Sequence, residues 1–451
     1  MTFISEWLMR LQSHKASVSK WEAQRRDEAA QLLRNAEEKG DWIRLTNHSN
    51  GFIREVAVRA LCAEPSPEAL VALIERLNDW VPQVRDLAAA GLNHYLSPSH
   101  AKDLLYALEP LLALSSRHRT DHGGTLAAVR KVLQLAESNG EVYANFLARQ
   151  SKAARYLFTL LLESEQDTET LLRDALSHRE LTVRLLAVDA CKNLSHEQAL
   201  PLLSEALHRP GAMVRVSVLR ALLPLLENPQ PLLRGILLDP SSAIRGFSRW
   251  AAARQDIDAR AVLGERLTGK LPLNKRDWLG ILGLAAELDI ELESHWLTAA
   301  ARSSYASVRQ ATMGRLGDGQ LTELMGALDD LSDRVFFAAV ARLNKLPWAS
   351  FHAELNTKLD RDWHELPSVR RHALMGLRPK WQQVAYLLKR LAVEPVARSY
   401  WATQLDLWCN RQYQVVDPVT PKAERVELIN NLRKLASMGV IRKASFAQVS
   451  G

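Results

Sequence analysis

The feature that most constrains the fold is a short pattern that recurs along most of the chain at a nearly constant interval. In each copy an apolar residue precedes an arginine, and a small or apolar residue follows three positions later. The interval is 31 residues from Arg54 to Arg85 and 30 or 31 at each step from Arg184 to Arg276, and eleven steps from Arg54 to Arg398 average about 31 residues. A fixed interval of this length indicates stacked repeats, each packing on its neighbours, in place of one central core. The clear copies centre on Arg54, Arg85, Arg184, Arg215, Arg245, Arg309 and Arg370, and weaker ones on Arg155, Arg276, Arg334 and Arg398.

Each interval is long enough for two helices of about twelve residues with short turns. The second helix begins near the arginine, because apolar residues then recur at helical spacing, as at Val84, Leu87, Ala88 and Leu92. Proline precedes several arginines by three to five positions, where it ends one helix and is tolerated at the start of the next. These prolines are Pro82, Pro210, Pro240 and Pro367. No sustained strand alternation interrupts the pattern, so the sequence predicts an all-α protein.

The pattern resembles the HEAT-repeat family in its short form, the PBS-lyase HEAT-like repeats. The Val-Arg-x-x-Ala core of the second helix carries the resemblance, together with Asp79 and Asp239, each six residues before its arginine. It covers about residues 40 to 410 and implies a right-handed α-solenoid, a superhelix of about eleven or twelve two-helix repeats. The period is shorter than in longer HEAT units. Residues 93 to 150 and 255 to 300 lack a clean copy.

Three regions follow from this division of the chain. Residues 1 to 40 are predicted to form N-terminal cap helices, residues 41 to 410 the HEAT-like solenoid, and residues 411 to 451 a C-terminal basic helix and tail. The helix has an apolar stripe at Leu428, Leu432 and Leu435 and is expected to end near Gly439. The residues after Gly439 are expected to form a loose tail.

The C-terminal part also differs from the rest in charge. Residues 366 to 451 contain 14 basic and 5 acidic residues, whereas the whole chain has a formal net charge of +7. Five of the 12 tryptophans lie between residues 348 and 408, interleaved with arginine and lysine. Tryptophan and arginine are enriched at binding hot spots, and basic residues with aromatics are also typical of nucleic-acid surfaces. The alternative is that the tryptophans form the core of atypical capping repeats.

The repeat arginines have two interpretations as well. The resemblance implies that each one pairs with the acidic residue in the turn before it, as Arg85 would with Asp79 and Arg245 with Asp239. On the other interpretation, second helices line a concave face and present rows of arginines to an acidic partner. The predicted partner-binding residues are Arg215, Arg220, Arg245, Arg249, Arg309, Arg315, Arg370, Arg371, Trp381, Arg398 and Trp401.

Catalytic and cofactor signals are weak. Cys62, Cys191 and Cys409 are far apart and suit neither a disulfide scaffold nor a metal clip. The segment from Gly264 to Lys270 approaches a phosphate loop but lacks the serine or threonine that must follow the lysine. We therefore expect no catalytic residue, cofactor, metal or small-molecule substrate. Apolar runs are too short for a membrane span, and the chain is expected to be cytoplasmic.

The sequence thus favours a non-enzymatic scaffold or adaptor that binds a protein partner through its concave face and its C-terminal Arg/Trp-rich region. In the family that this chain resembles, such proteins serve as scaffolds, regulatory subunits or toxin-immunity proteins. The alternative is sequence-independent nucleic-acid binding through residues 366 to 451, with or without the base chemistry of the alkylpurine DNA glycosylases of this class. An interrupted basic surface would favour protein, and a continuous one nucleic acid.

Overall fold

A computed structural model describes residues 20–36, 41–164, 167–410 and 417–450. These residues form α-helices joined by turns and short 3-10 segments, and none of them lies in a strand. The chain divides into two compact units, Met1–Glu227 and Asn228–Gly451. The predicted all-α solenoid class is confirmed. Much of the predicted N-terminal cap, residues 1–19 and 37–40, lies outside the described residues, as do residues 411–416.

The first unit contains fourteen described α-helices, most of them about three turns long. They are α1 (Lys20–Ala36), α2 (Trp42–Leu45), α3 (Gly51–Ala63), α4 (Pro67–Arg76), α5 (Pro82–Asn93), α6 (Ala101–Tyr106), α7 (Leu108–Ala113), α8 (Gly123–Leu133), α9 (Asn139–Ala148), α10 (Ser151–Glu163), α11 (Thr168–Ser177), α12 (Leu181–Cys191), α13 (His196–Leu207) and α14 (Ala212–Leu222).

The second unit contains fourteen described α-helices of similar length. They are α15 (Gln230–Ile236), α16 (Ser242–Ala252), α17 (Ala259–Leu267), α18 (Lys275–Glu287), α19 (Ser294–Ala301), α20 (Ala306–Met313), α21 (Leu321–Gly326), α22 (Asp333–Leu343), α23 (Trp348–Asp362), α24 (Ser368–Gly376), α25 (Lys380–Val393), α26 (Arg398–Asn410), α27 (Lys422–Ser437) and α28 (Lys443–Ser450).

Two kinds of helix packing repeat along each unit. Consecutive helices pack as pairs, as in α4 with α5, α11 with α12 and α13 with α14 in the first unit, and α19 with α20 in the second. The second helix of one pair also packs on the second helix of the next, as in α3 with α5, α12 with α14 and α20 with α22. This is the two-helix repeat that the sequence period predicts.

The apolar stripe of each second helix lies in the core. Val84 and Ala88 of α5 are fully buried, and so are Val183 and Ala187 of α12. Leu186 follows Val183 by three positions, at the spacing of the same apolar stripe, yet 38% of it is exposed. It lies at the margin of the stripe, since the buried face of this helix is narrower than the apolar pattern suggests.

One glycine allows an especially close approach between two repeats of the second unit. A Cβ atom added to Gly280 of α18 would lie 1.9 Å from the backbone carbonyl oxygen of Leu238. Backbone cannot yield as a flexible side chain can, so only glycine fits at this helix crossing.

The C-terminal segment departs from the prediction in one respect. Helix α27 ends before Gly439, whose φ of +73° is the left-handed conformation that glycine favours. The residues that follow were expected to be a loose tail, yet they form α28, which packs on α26. Ile441 and Ser445 are buried there, and the backbone N–H of Arg442 donates to Asp406 at 3.0 Å. No helix in the described part of the chain is long and apolar enough to cross a bilayer.

Candidate functional site

The repeat arginines hold neighbouring repeats together. The Arg54 side chain lies on α3 and donates from both Nε and Nη2 to the two carboxylate oxygens of Asp79, each at 2.8 Å. Its Nη1 donates to the backbone carbonyl of His48 at 2.8 Å. Both side chains are almost fully buried. A buried two-pronged ion pair of this kind fixes the register between successive repeats.

Other repeat arginines also donate to a backbone carbonyl six residues back. This contact differs from the expected ion pair with the carboxylate of that residue. Nη1 of Arg85 donates to the backbone carbonyl of Asp79, and Nη1 of Arg245 to that of Asp239, at 2.8 and 2.7 Å. The interaction six residues back is therefore with the backbone, because the same reach occurs from Arg309 to Ser303, which has no carboxylate.

The carboxylate partners of these arginines lie further along the chain. Arg309 contacts both oxygens of Asp330, at 2.6 and 2.9 Å. Arg245 donates from Nη2 to Glu287 at 2.6 Å, and Arg249 approaches the same carboxylate at 3.4 Å. Four predicted binding residues, Arg245, Arg249, Arg309 and Arg370, are thus already engaged in ion pairs within the second unit.

The carboxylates that join the repeats are kept ionised. Burial alone would raise the pKa of Asp79, but hydrogen bonds from Arg54 and the Val81 N–H, with the charges of Arg54 and Arg76, lower it below its usual value. The hydrogen bond from Arg309 likewise lowers the pKa of Asp330, against the opposing effect of burial. These acids therefore remain charged near neutral pH and support the packing of the repeats.

Three more predicted residues lie in different surroundings. Arg215 is buried on α14 and donates to the backbone carbonyl of Leu207 at 2.9 Å. Arg220, one turn on, is exposed. Arg315 donates to the backbone carbonyl of Ile290, and burial lowers its pKa. Partner binding by these residues stays a prediction.

The two predicted tryptophans are buried. Trp401 of α26 is fully covered, and its indole N–H donates to Glu394 at 2.6 Å. Trp381 of α25 is 5% exposed and its ring lies 5.7 Å from that of Trp408. As in the alternative interpretation of the sequence, these rings pack the terminal helices together. Partner binding by Trp381 and Trp401 stays a prediction.

The three remaining predicted residues, Arg370, Arg371 and Arg398, differ in their surroundings. Arg370 pairs with Asp333 at 2.7 Å, and its guanidinium lies 4.5 Å from the ring centroid of Phe336. Arg398 is exposed at the start of α26. Arg371 is half-buried and faces an open groove. Partner binding by these three residues stays a prediction.

The groove that Arg371 faces lies among α24, α25 and α26, and we call it the C-terminal groove. Its volume is about 480 Å³, within the range of about 300–1,000 Å³ typical of ligand sites. Each helix contributes residues three or four positions apart, which places them on one helical face. The lining residues are Trp363, Ser368, Arg371, His372, Met375, Gly376, Lys380, Gln383, Leu387, Tyr400, Gln404, Leu407 and Trp408.

The lining combines positive charge with apolar surface. Arg371, His372 and Lys380 can carry positive charge, whereas none of the lining residues is Asp or Glu. Arg371 is held in place, because its Nη1 donates to the Tyr400 hydroxyl at 3.2 Å and its guanidinium lies 5.8 Å from the Trp363 ring centroid. The arrangement can accept an anionic group beside an apolar one.

A second groove, in the first unit, has a different character. Its volume is about 540 Å³, and its lining includes both carboxylates and arginines, such as Glu75, Glu109, Arg76 and Arg117. Trp80 is 60% exposed at its edge. A lining that carries both charges favours neither an anionic nor a cationic ligand. The C-terminal groove is therefore the stronger candidate for a binding site.

Several basic residues of 366 to 451 that do not line the groove are held in ion pairs. Arg390 approaches Asp360 at 3.2 Å and Lys389 approaches it at 2.8 Å. Arg442 pairs with Asp406. Asp360, like the Asp333 that pairs with Arg370, precedes the basic segment in sequence and offsets part of its charge excess.

No set of three His, Cys, Asp or Glu side chains among the described residues is placed to hold a metal ion. His118 and His122 are four positions apart, a spacing at which two histidines on a helix can bind a metal, but both lie in the stretch before α8. His122 is buried, with its Nε2 3.4 Å from the side-chain oxygen of Asn78, and burial lowers its pKa. The segment resembling a phosphate loop begins inside helix α17 and extends beyond its end.

The groove combines a residue from the sequence prediction with several that it missed. Arg371 was predicted, whereas His372, Lys380 and Tyr400 were not. Ser368, Arg371, His372 and Met375 show helical spacing within the sequence. That signal could have identified the α24 face, but not the faces of α25 and α26 opposite it.

Comparison with known proteins adds little. No family model matches the chain, and no curated protein matches its sequence. Among solved structures, the chain is similar to a C-terminal fragment of the Chaetomium thermophilum cohesin loader SCC2. The match has 13% identity and a TM-score of 0.28, and it covers 98% of this chain but 36% of the loader fragment. A likeness this distant supports no functional argument.

Proposed function

We propose that this chain is a non-enzymatic helical-repeat scaffold that binds a protein partner through the C-terminal groove. The proposal rests chiefly on one observation: the groove is cationic and partly apolar, while several basic residues of 366 to 451 outside its lining are paired with carboxylates. A bounded patch of this kind suits a protein ligand, since the core of a protein interface combines apolar contacts with a few directed charges.

Sequence-independent nucleic-acid binding has weaker support. It requires a basic track that follows many successive phosphates. In the second unit, Arg370, Lys389 and Arg390 are paired with Asp333 or Asp360. Each such carboxylate repels phosphate and offsets a cation, so the basic residues of 366 to 451 are less available than their number suggests.

The test compares three forms of the full chain as bait in a lysate of the source organism, each with and without nuclease. The groove variant is Lys380→Glu. Lys380 is exposed at the first position of α25, where an acidic residue also suits the helix dipole. The matched control is Lys345→Glu, an exposed lysine of the same unit away from the groove.

We expect wild type and the Lys345→Glu control to retain one protein at near-equal amount after nuclease treatment, and Lys380→Glu to lose it. Recovery of nucleic acid alone, removed by nuclease, would contradict the proposal and favour the nucleic-acid alternative. Circular dichroism of each variant checks that the helical content is unchanged.

A further inference from the structure

We infer that the C-terminal groove recognises an acidic peptide segment that carries a large apolar side chain between its carboxylates. This inference rests on the proposed function and specifies the ligand of the same site. It follows from the shape of the groove, from its charge, and from the way in which its aromatic rings are covered.

The shape favours a linear segment. Ser368, Arg371, Met375 and Gly376 lie along one face of α24, and Tyr400, Gln404 and Leu407 along one face of α26. Two helical faces with α25 between them form the walls of a groove, which suits an extended or helical peptide better than a compact molecule.

The charge specifies an acidic ligand. Lys380 and His372 are exposed and Arg371 is half-buried, so positive charge is available on both α24 and α25. The bond from Arg371 to Tyr400 fixes one guanidinium before a ligand arrives, which reduces the entropy lost on binding. Because the lining contains no carboxylate, a basic segment would find no partner there.

The apolar lining residues of the groove indicate that the peptide carries a large apolar side chain. Met375, Leu387 and Leu407 contribute aliphatic surface, and Leu407 is 40% exposed. A Cβ atom added to Gly376 would meet nothing within 4 Å, so the groove has open space at that point. A leucine or phenylalanine side chain inserted there would cover apolar surface that is now in contact with water.

The aromatic rings argue against nucleic acid as the ligand. Single-stranded nucleic acid is held mainly by bases stacking on exposed aromatic faces. Trp363 and Trp408 are only 3% and 7% exposed. Their indole N–H groups are also used, donating to the Tyr400 hydroxyl at 3.2 Å and to Gln383 at 3.1 Å. Neither ring offers a stacking platform.

A selection from a library of random short peptides tests the inference, with the full chain immobilised. The probe for measurement is the most enriched peptide, labelled with fluorescein. Two variants act on the groove by different means: Lys380→Glu reverses a charge, and Gly376→Met fills the open space without changing charge. Lys345→Glu is the control. Far-UV circular dichroism and a thermal melt check each fold.

We expect the selected peptides to be enriched in Asp and Glu flanking Leu, Phe or Trp. Each groove variant should bind the probe about tenfold more weakly, a difference of about 1.4 kcal/mol, and the control should bind as wild type does. Selection without acidic enrichment would overturn the inference, and so would unchanged binding to both folded groove variants. Competition by single-stranded oligothymidylate that is lost in Lys380→Glu would show a nucleic-acid ligand and overturn it as well.

The inference and the proposed function can fail separately. If Lys380→Glu loses a nuclease-resistant protein that wild type and Lys345→Glu retain, but the selected peptides show no acidic enrichment, the groove binds a protein and only the acidic-peptide inference is wrong. If only nucleic acid is recovered, the proposed function itself is wrong.

Discussion

The Arg54–Asp79 pair offers the sharpest test of how the repeats are held together. Replacing Arg54 with methionine keeps an unbranched side chain in the core but removes the guanidinium. Asp79 then remains 4% exposed without its two-pronged partner. Removing one member of a buried ion pair typically costs about 3–5 kcal/mol, because the other charge is left uncompensated. Arg76 at 3.3 Å and the Val81 N–H at 2.9 Å still contact Asp79, so we expect about 3 kcal/mol, the lower end of that range.

The assay is urea unfolding followed by circular dichroism, with two further variants. Arg59→Met removes a partly exposed ion pair to Glu55 on the same helix, which should cost about 0.3–0.5 kcal/mol. Arg54→Met combined with Asp79→Asn removes the stranded charge but keeps an acceptor for Val81. It should therefore recover much of the lost free energy of unfolding. An Arg54→Met variant as stable as Arg59→Met would refute the claim that the repeat arginines secure the packing.

The other predictions concern the second unit. Gly280→Ala should lower the free energy of unfolding by more than about 2 kcal/mol, because its Cβ would meet backbone. A Cβ atom at Gly264 would meet nothing within 4 Å. Gly264→Ala should therefore leave the free energy of unfolding unchanged or raise it by up to about 1 kcal/mol, measured by urea titration. Arg378 is buried, and among the described residues none accepts a hydrogen bond from its Nε or Nη2. Burial lowers the pKa of Arg378 to about 10. Arg378→Met should therefore stay within about 1 kcal/mol of wild type in the same titration, and a larger loss would contradict this. Because the pKa of Asp330 is lowered in the folded state, its stabilisation is present above about pH 4 and is lost as pH falls through the folded pKa. Arg309→Met should flatten that acid dependence in urea midpoints measured from neutral pH downward, and an unchanged slope would contradict the assignment.

The sequence was sufficient to predict the all-α solenoid class, because the pattern that defines each helix is local. The spacing of Val84, Ala88 and their equivalents defines an amphipathic helix within a dozen residues, and the repeat period gives the pairing of helices. The arginine contacts were only half predicted. Arg85 does reach six residues back, yet to a carbonyl, and the carboxylate of Asp79 instead faces Arg54 from the preceding repeat. Whether the acid faces the arginine of its own repeat or that of the preceding one depends on how the repeats stack.

The candidate site was predicted less well, for a similar reason. Trp401 and Arg371 look alike as hot-spot residues in the sequence, but one is fully buried and the other faces the groove. Residue type does not reveal which side of a terminal helix is covered. The charge excess of residues 366 to 451 was also misleading on its own, because Asp333 and Asp360 pair with arginines or lysines from that segment.

Photocrosslinking from position 368 tests the central claim most directly. A photoreactive phenylalanine analogue replaces the exposed groove residue Ser368 in one sample and the exposed Lys345 in another, so that Arg371 and Lys380 stay in place. Each full chain is irradiated in a lysate of the source organism. We predict a discrete protein adduct from position 368 that resists nuclease and is absent from position 345. An adduct that nuclease removes, or the same protein adduct from both positions, would contradict the account of the C-terminal groove as a protein-binding site.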